Sequence, residues 1–147
     1  MRVTMKSDYG LRAMIDLAAH YGAGPVPSGD IATRQLIPEH FLDQLLISLR
    51  RAGLLKSQRG PQGGHMLVRP PAQITMRDVI RALDGSIAPM ECLPSPSVCQ
   101  LSPGCAIREV WQQVEDYAQQ LLASTTLEHL AHRHRLPSQS GEAMYYI

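Results

Sequence analysis

The sequence predicts a mainly α chain with one small β-hairpin, and three observations carry that prediction. Apolar residues recur at helical spacing in successive stretches before residue 52. The period then changes to two short extended runs around a glycine-rich tip, and a second long helical periodicity starts at Ala106.

From Thr4 to Tyr21, the residues Met5, Tyr9, Ala13, Met14, Leu17, Ala18 and Tyr21 recur three and four apart, the period of an amphipathic helix, and Gly22 to Pro27 stops it. A short helix follows from Ser28 to about Arg34, with Ser28 as N-cap and Asp30 near the positive end of the helix dipole. Pro38 suits a first helical residue, and Phe41, Leu42, Leu45, Leu46 and Leu49 make an apolar face that runs to Ala52 before Gly53 stops it. Leu54 to Arg59 and His65 to Val68 then flank Gly60-Pro61-Gln62-Gly63-Gly64, two strands around a hairpin tip. Three helices followed by a cationic ribbon are the layout of a winged helix-turn-helix, with the 38–52 helix as the one that enters the major groove.

Thr75 and Asp78 stand at capping-box spacing at the start of a helix that ends before Gly85. Residues 84–105 hold four of the prolines and all three cysteines, so regular structure is not expected there. Ile107, Val110, Trp111, Val114, Ala118, Leu121 and Leu122 mark a long helix apolar enough to bury against a partner. Thr125 and Glu128 suggest a second capping box, opening a last helix whose Leu127 and Leu130 pack while His129, His132, Arg133, His134 and Arg135 face solvent. The expected division is 1–83 for the winged helix-turn-helix, 84–105 for a cysteine loop, 106–135 for a dimerisation helix and a short terminal helix, and 136–147 for a flexible tail.

Composition bounds the function. A length of 147 residues fits one compact domain or one with a small appendage. No apolar run reaches the roughly 18 to 20 residues of a membrane span, and there is no secretory layout at the N-terminus, so the expectation is a soluble cytoplasmic protein. The formal charge of +1 looks unsuited to nucleic acid, but it averages two unlike halves. Residues 1–70 hold nine cations and five anions, a net +4, and the remainder five cations and eight anions, a net −3. Between Asp43 and Asp78 there is no carboxylate, while Arg50, Arg51, Lys56, Arg59, Arg69 and Arg77 lie in that gap. Either this is a solvated basic face or it is the footprint of a nucleic-acid-facing half. No nucleotide loop, nucleophile with a paired base or acid pair points to an enzyme.

Two groups of residues carry candidate chemistry. On the third helix His40, Asp43 and Gln44 lie near the N-terminal end, where Gln44 suits an adenine edge and Asp43 a cytosine amine. Arg50, Arg51 and Lys56 suit phosphates, and Arg59 beside the slim tip suits a narrow minor groove. With Ser28 and Gln62 these form the candidate DNA-contacting set. The second group is Cys92, Cys99 and Cys105, spaced C-x6-C-x5-C. An odd count without an export signal argues against a disulfide framework. The spacing is wider than the close C-x-x-C pairs of zinc sites and leans towards an iron-sulfur cluster, with zinc binding or thiol redox chemistry as the competing readings. Asp8, taken alone, is a first-turn acid that complements a helix dipole.

In order and spacing, several segments resemble the bacterial winged-helix regulators typified by IscR and NsrR. They are Met1-Arg2-Val3-Thr4, Ser7 to Ala13, Ala52-Gly53-Leu54, Arg59 to Gly64, Val79 to Leu83, and the three cysteines before a long helix. The resemblance runs from Met1 to about His134. It implies a homodimeric transcription factor, most simply a repressor, on a two-fold-symmetric operator in double-stranded DNA, dimerised through the long helix, with no membrane and no small-molecule substrate. It also implies that DNA affinity depends on a bound iron-sulfur cluster that senses nitric oxide, redox or cluster status. The 2Fe-2S branch has a histidine three residues after the third cysteine, where this chain has Arg108. The 4Fe-4S branch takes an aspartate from the first helix of the other subunit, a position matched by Asp8. The resemblance therefore favours 4Fe-4S over 2Fe-2S, with Cys92, Cys99, Cys105 and Asp8 as metal ligands. A cluster-free or zinc- or thiol-based redox-responsive protein is the alternative.

Overall fold

The computed structural model describes residues 1–134. Helices α1 (Met5–Ala19), α2 (Ser28–Gln35) and α3 (Glu39–Arg51) lead into a hairpin of β1 (Leu55–Gln58) and β2 (Gly64–Leu67), followed by α4 (Met76–Leu83), α5 (Ala106–Ser124) and α6 (Leu127–Arg133). The strands pair antiparallel from Leu55 opposite Leu67 to Gln58 opposite Gly64. The molecule is thus mainly α with a β-hairpin wing, as the period change predicts. Residues 84–105 hold only two short 3-10 turns, Pro96–Val98 and Ser102–Gly104. Among the described residues, no helix is long and apolar enough to cross a membrane.

Helix α1 is the hub. It packs against α2, α3, α4, α6 and β2. Ala13, Met14, Leu17 and Ala18 of the predicted face are buried, and the buried arc widens to take in Ser7, Gly10, Leu11, Ile15 and Asp16. Met5 and Tyr21 are exposed, and Tyr9 sits at the edge, its ring 5.6 Å from that of Phe41 in a T-shaped pair. Gly10 accounts for part of the wider arc: a Cβ there would collide with the Leu83 side chain, so α4 beds against a side of α1 that hydrophobicity does not mark.

Both helices of the helix-turn-helix start at a proline. Pro27, not Ser28, is the N-cap of α2, because its backbone is already extended and its carbonyl accepts from the Asp30 and Ile31 amides; Ser28 is the first helical residue and caps nothing. Pro38 is likewise the N-cap of α3 rather than its first residue, and accepts from Phe41 and Leu42. Leu42, Leu45, Leu46 and Leu49 bury the core face of α3. Its end is a Schellman turn: Gly53, at φ 79°, donates to the Arg50 carbonyl, and Leu54 donates to Leu49. Val26 exchanges both backbone hydrogen bonds with His65, at 3.0 and 2.8 Å, and so seats the wing on the loop after α1. Gly64 passes so close to the Val26 backbone that a Cβ would clash with it.

The capping box of α4 is formed, with Thr75 N–H donating to Asp78 at 2.9 Å and Asp78 N–H donating to Thr75 at 3.2 Å. The box expected from Thr125 and Glu128 is not. Thr125 instead donates its hydroxyl to Leu121 in the last turn of α5, and Thr126 caps α6 by accepting from His129 N–H. Met76 N–H donates to Thr125 and Leu127 N–H to Ile74, so the starts of α4 and α6 lie side by side. Leu127 is fully buried in the core with Met14, Ile31, Leu42 and Val79. Helix α6, grouped with α5 in the sequence division, therefore packs on α1. For the same reason His134 is half-buried rather than solvent-facing, with Nε2 3.2 Å from Gln35 Oε1, whereas His129, His132 and Arg133 are exposed. Arg135 and the expected tail 136–147 lie outside the described residues. Helix α5 buries no residue and leaves Ile107, Val110, Trp111, Val114, Tyr117 and Leu121 exposed.

Among the described residues one carboxylate is buried, Asp16, 2% exposed. Arg34 donates to both of its oxygens at 2.9 and 2.8 Å, and Gln35 adds a third bond at 3.1 Å. The Asp16 hydrogen bond raises the Arg34 pKa further, against the opposing pull of burial. Replacing Asp16 by Ala strands these donors and should cost about 2–3 kcal/mol in denaturant unfolding, given the usual worth of hydrogen bonds to charged groups. Gly64→Ala should push the wing off Val26 and lower stability by about 1–3 kcal/mol, the usual cost of overpacking; an unchanged melting midpoint in either variant would contradict the respective packing argument.

Candidate nucleic-acid interface and cysteine loop

The leucine spacing that buries one face of α3 turns Glu39, His40, Asp43, Gln44, Arg50 and Arg51 outward, and all six are exposed. Lys56, Arg59 and Gln62 are exposed along the wing, so this part of the predicted set shares one solvent-facing helix and ribbon. Ser28 is half-buried in the first turn of α2.

Two residues that the sequence did not single out join α3 to the wing. Ser57 Oγ lies 3.0 Å from His65 Nδ1 across the strand pair and receives a long hydrogen bond from Arg50 at 3.5 Å. Burial, and then the Arg50 charge, push the His65 pKa down, with Asp43 pulling weakly the other way. Arg50 thus touches the wing as well as facing solvent. The only local signal was the cross-strand register, which places Ser57 opposite His65.

All three cysteines are free thiols. Cys92 is half-buried beside the buried Leu93, Cys99 is exposed after the Pro96–Val98 turn, and Cys105 is the half-buried N-cap of α5, its Sγ accepting from Arg108 N–H at 3.4 Å. The Arg108 guanidinium donates to the Cys92 carbonyl at 3.0 Å. One residue therefore clamps the first cysteine's backbone to the third cysteine's helix cap. Cys99, Arg108 and the buried Ser102, whose Oγ has no partner, line a cavity of about 410 Å³.

As donors, three reduced thiols on a clamped loop with an orphaned hydroxyl beside them fit an iron-sulfur cluster's need for thiolates and hydrogen-bond donors to sulfur. The single chain does not gather them, since among the described residues no three His, Cys, Asp or Glu side chains are close enough to hold one metal ion. Asp8 lies on the outer side of α1, half-exposed, with one oxygen 2.7 Å from Arg12, which also stacks over Tyr9.

A family model described as Rrf2, an iron-dependent transcriptional regulator, matches residues 3–133. The HTH-type transcriptional regulator CymR of Bacillus subtilis is 42% identical over 131 residues, covering 89% of this chain and 90% of that protein. Its solved structure, described as that of the global cysteine regulator, superposes with a TM-score of 0.79 over 92% of this chain and 99% of the other. The regulator IscR of Photorhabdus laumondii is 36% identical over 96% of this chain and 85% of its own length. A T. potens IscR structure, also 36% identical, covers 99% of this chain and 97% of the other with a TM-score of 0.74. The match takes in the helix-turn-helix, the wing and the cysteine loop alike, and by it the chain belongs to the Rrf2 family of winged-helix, DNA-binding transcriptional regulators and is no enzyme.

Proposed function

We propose that this chain is a homodimeric repressor of a two-fold-symmetric operator whose DNA affinity is set by an iron-sulfur cluster on the cysteine loop. The observation that carries this reading is the clamp: Arg108 ties Cys92 to the capping residue of α5, the helix with the exposed apolar face. Cys92, Cys99 and Cys105 would hold the group, and the partner subunit's Asp8 would complete a 4Fe-4S set, with 2Fe-2S the other nuclearity. When bound, the cluster supplies a centre reactive to nitric oxide and oxidants.

The chain's own residues supply the rest. Pairing of the apolar α5 faces sets the distance between two copies of α3, and half-site spacing in the operator mirrors that distance. Gln44 and Asp43 read base edges, with His40 beside them, and Arg59 and Gln62 reach the minor groove from the wing. Arg50, Arg51, Lys56 and Ser28 fix the register on phosphates. In this division residues 1–83 with α6 form the DNA-binding unit, 84–105 the sensing loop and α5 the dimerisation element. A second reading, a cluster-free thiol-responsive regulator, is favoured by the dispersed sulfurs and by the 42% identity to CymR.

Anaerobic purification separates the two. The cluster reading expects a brown protein with iron and acid-labile sulfide, and a loss of operator affinity when Cys92, Cys99 and Cys105 are all changed to Ala. A colourless, iron-free protein whose DNA binding responds to thiol oxidants would establish the second reading. Asp8→Ala should keep the helical content while changing the visible spectrum and hastening bleaching in air; an unchanged spectrum leaves Asp8 with only its Arg12 ion pair. Arg59→Ala should weaken operator binding about tenfold or more, in line with roughly 1–3 kcal/mol for a groove contact, without altering the melting curve.

A further inference from the structure

The wing meets α3 at a polar junction built on His65, which is held from two sides. Its backbone exchanges both hydrogen bonds with Val26, at 3.0 and 2.8 Å, and so fixes β2 to the loop after α1. Its side chain engages the neighbouring strand, where Ser57 stands directly opposite in the register and Ser57 Oγ lies 3.0 Å from His65 Nδ1.

Helix α3 reaches the same point. It packs on β1, and Arg50, in its last turn, donates from Nη1 to Ser57 Oγ at 3.5 Å. That contact is long, but the Arg50 charge also acts on His65, lowering its pKa together with burial while Asp43 opposes. Among the described residues Arg50 forms no ion pair within 4.0 Å, so Ser57 is what gives this exposed arginine a place on the wing.

The order of the protons follows from the chemistry. A guanidinium only donates, so Ser57 Oγ accepts from Arg50 and has its own proton left to give. A neutral imidazole takes that proton on Nδ1, whereas an imidazolium has no acceptor there. Burial and the neighbouring cation both disfavour the charged ring, which keeps the chain from Arg50 through Ser57 to His65 intact.

We propose that Ser57 and His65 are positioning residues for DNA binding, holding the Arg50 guanidinium between α3 and the wing at the place where it meets an operator phosphate. The inference rests on the reading of Arg50 as a phosphate contact, and it gives Ser57 and His65 no DNA contact of their own. An untethered arginine samples many rotamers and loses them on binding, whereas a tethered one loses fewer. A phosphate contact so placed also sets the register of Asp43 and Gln44, about two turns earlier on the same helix.

The probe is a duplex that the parent protein selects from a random-sequence pool, and dissociation constants are measured on the anaerobically prepared full-length protein between about 50 and 200 mM salt. Arg50→Ala should weaken binding and lower the slope of log affinity against log salt by about one, the signature of one lost phosphate contact. Ser57→Ala should weaken binding about three- to tenfold, the range for leaving one long side chain unordered. The double variant should bind no worse than Arg50→Ala alone, since both changes then remove the same contact. His65→Leu should match Ser57→Ala, and His65→Asn, whose amide oxygen can stand in for Nδ1, should restore most of the affinity. Ser57 is exposed, so its variant keeps the test decisive should His65→Leu fail to fold. Parent-like binding by Ser57→Ala overturns the proposal and leaves the phosphate reading standing where Arg50→Ala shows its loss; parent-like binding by Arg50→Ala removes both. Additive losses in the double variant also overturn it, because Ser57 then meets DNA itself. So does a His65→Asn variant no better than His65→Leu, because the ring then only fills space.

Discussion

A single buried carboxylate sets the geometry on which the rest of the molecule depends. Asp16 sits buried in the last turn of α1, and a charge so placed must be matched by donors held in register. Arg34 supplies two from the end of α2 and Gln35 a third, so α2 is fixed in rotation as well as in position. An apolar contact would bury similar area yet let α2 slide, whereas the planar guanidinium fork accepts one orientation. Since the turn at Leu36 is tight and left-handed, at φ 55°, fixing α2 fixes α3 as well. Gln35 then passes the constraint to His134, which brings the last described residue into the same set as the first helix.

The period of the apolar residues made the three helices, the wing and α5 legible, and Gly53 marked the exit of α3 because only a residue tolerant of positive φ suits that turn. The outward face of α3 was legible by subtraction, as the complement of four leucines. Contacts between distant residues were not. Asp16 and Gln35 stand 19 apart and Gln35 and His134 99 apart, and no local pattern announces either pair. Gly10 looks neutral in any hydrophobicity scale, yet its smallness sets how closely α4 approaches, because a Cβ there would collide with Leu83. The cysteine loop was legible as chemistry and not as shape: the sequence marks three thiols, while the Arg108 clamp depends on a reach of 16 residues back to Cys92.

The N-terminus and the cysteine loop are joined through Asp84. Asp84, where α4 ends and the loop begins, accepts from both the backbone amide and the hydroxyl of Thr4, the N-cap of α1. Partial burial pushes the Asp84 carboxyl up, but the Thr4 hydrogen bonds and the nearby Lys6 outweigh it and leave its pKa below the usual carboxylate range. Asp8 is one helical turn beyond Thr4, and its amide donates to the Thr4 carbonyl. A change in the path of the loop at residue 84 is therefore felt at the start of the helix that carries Asp8, through hydrogen bonds and not through a flexible linker.

Helix α5 contains 19 residues and buries none of them. One side of it packs on α4, and Leu122 reaches the core, but Ile107, Val110, Trp111, Val114, Tyr117 and Leu121 lose their hydration only against a second surface. Any surface that covers these side chains therefore adds stability in proportion to the logarithm of its own concentration, which makes abundance an input to the state of this helix.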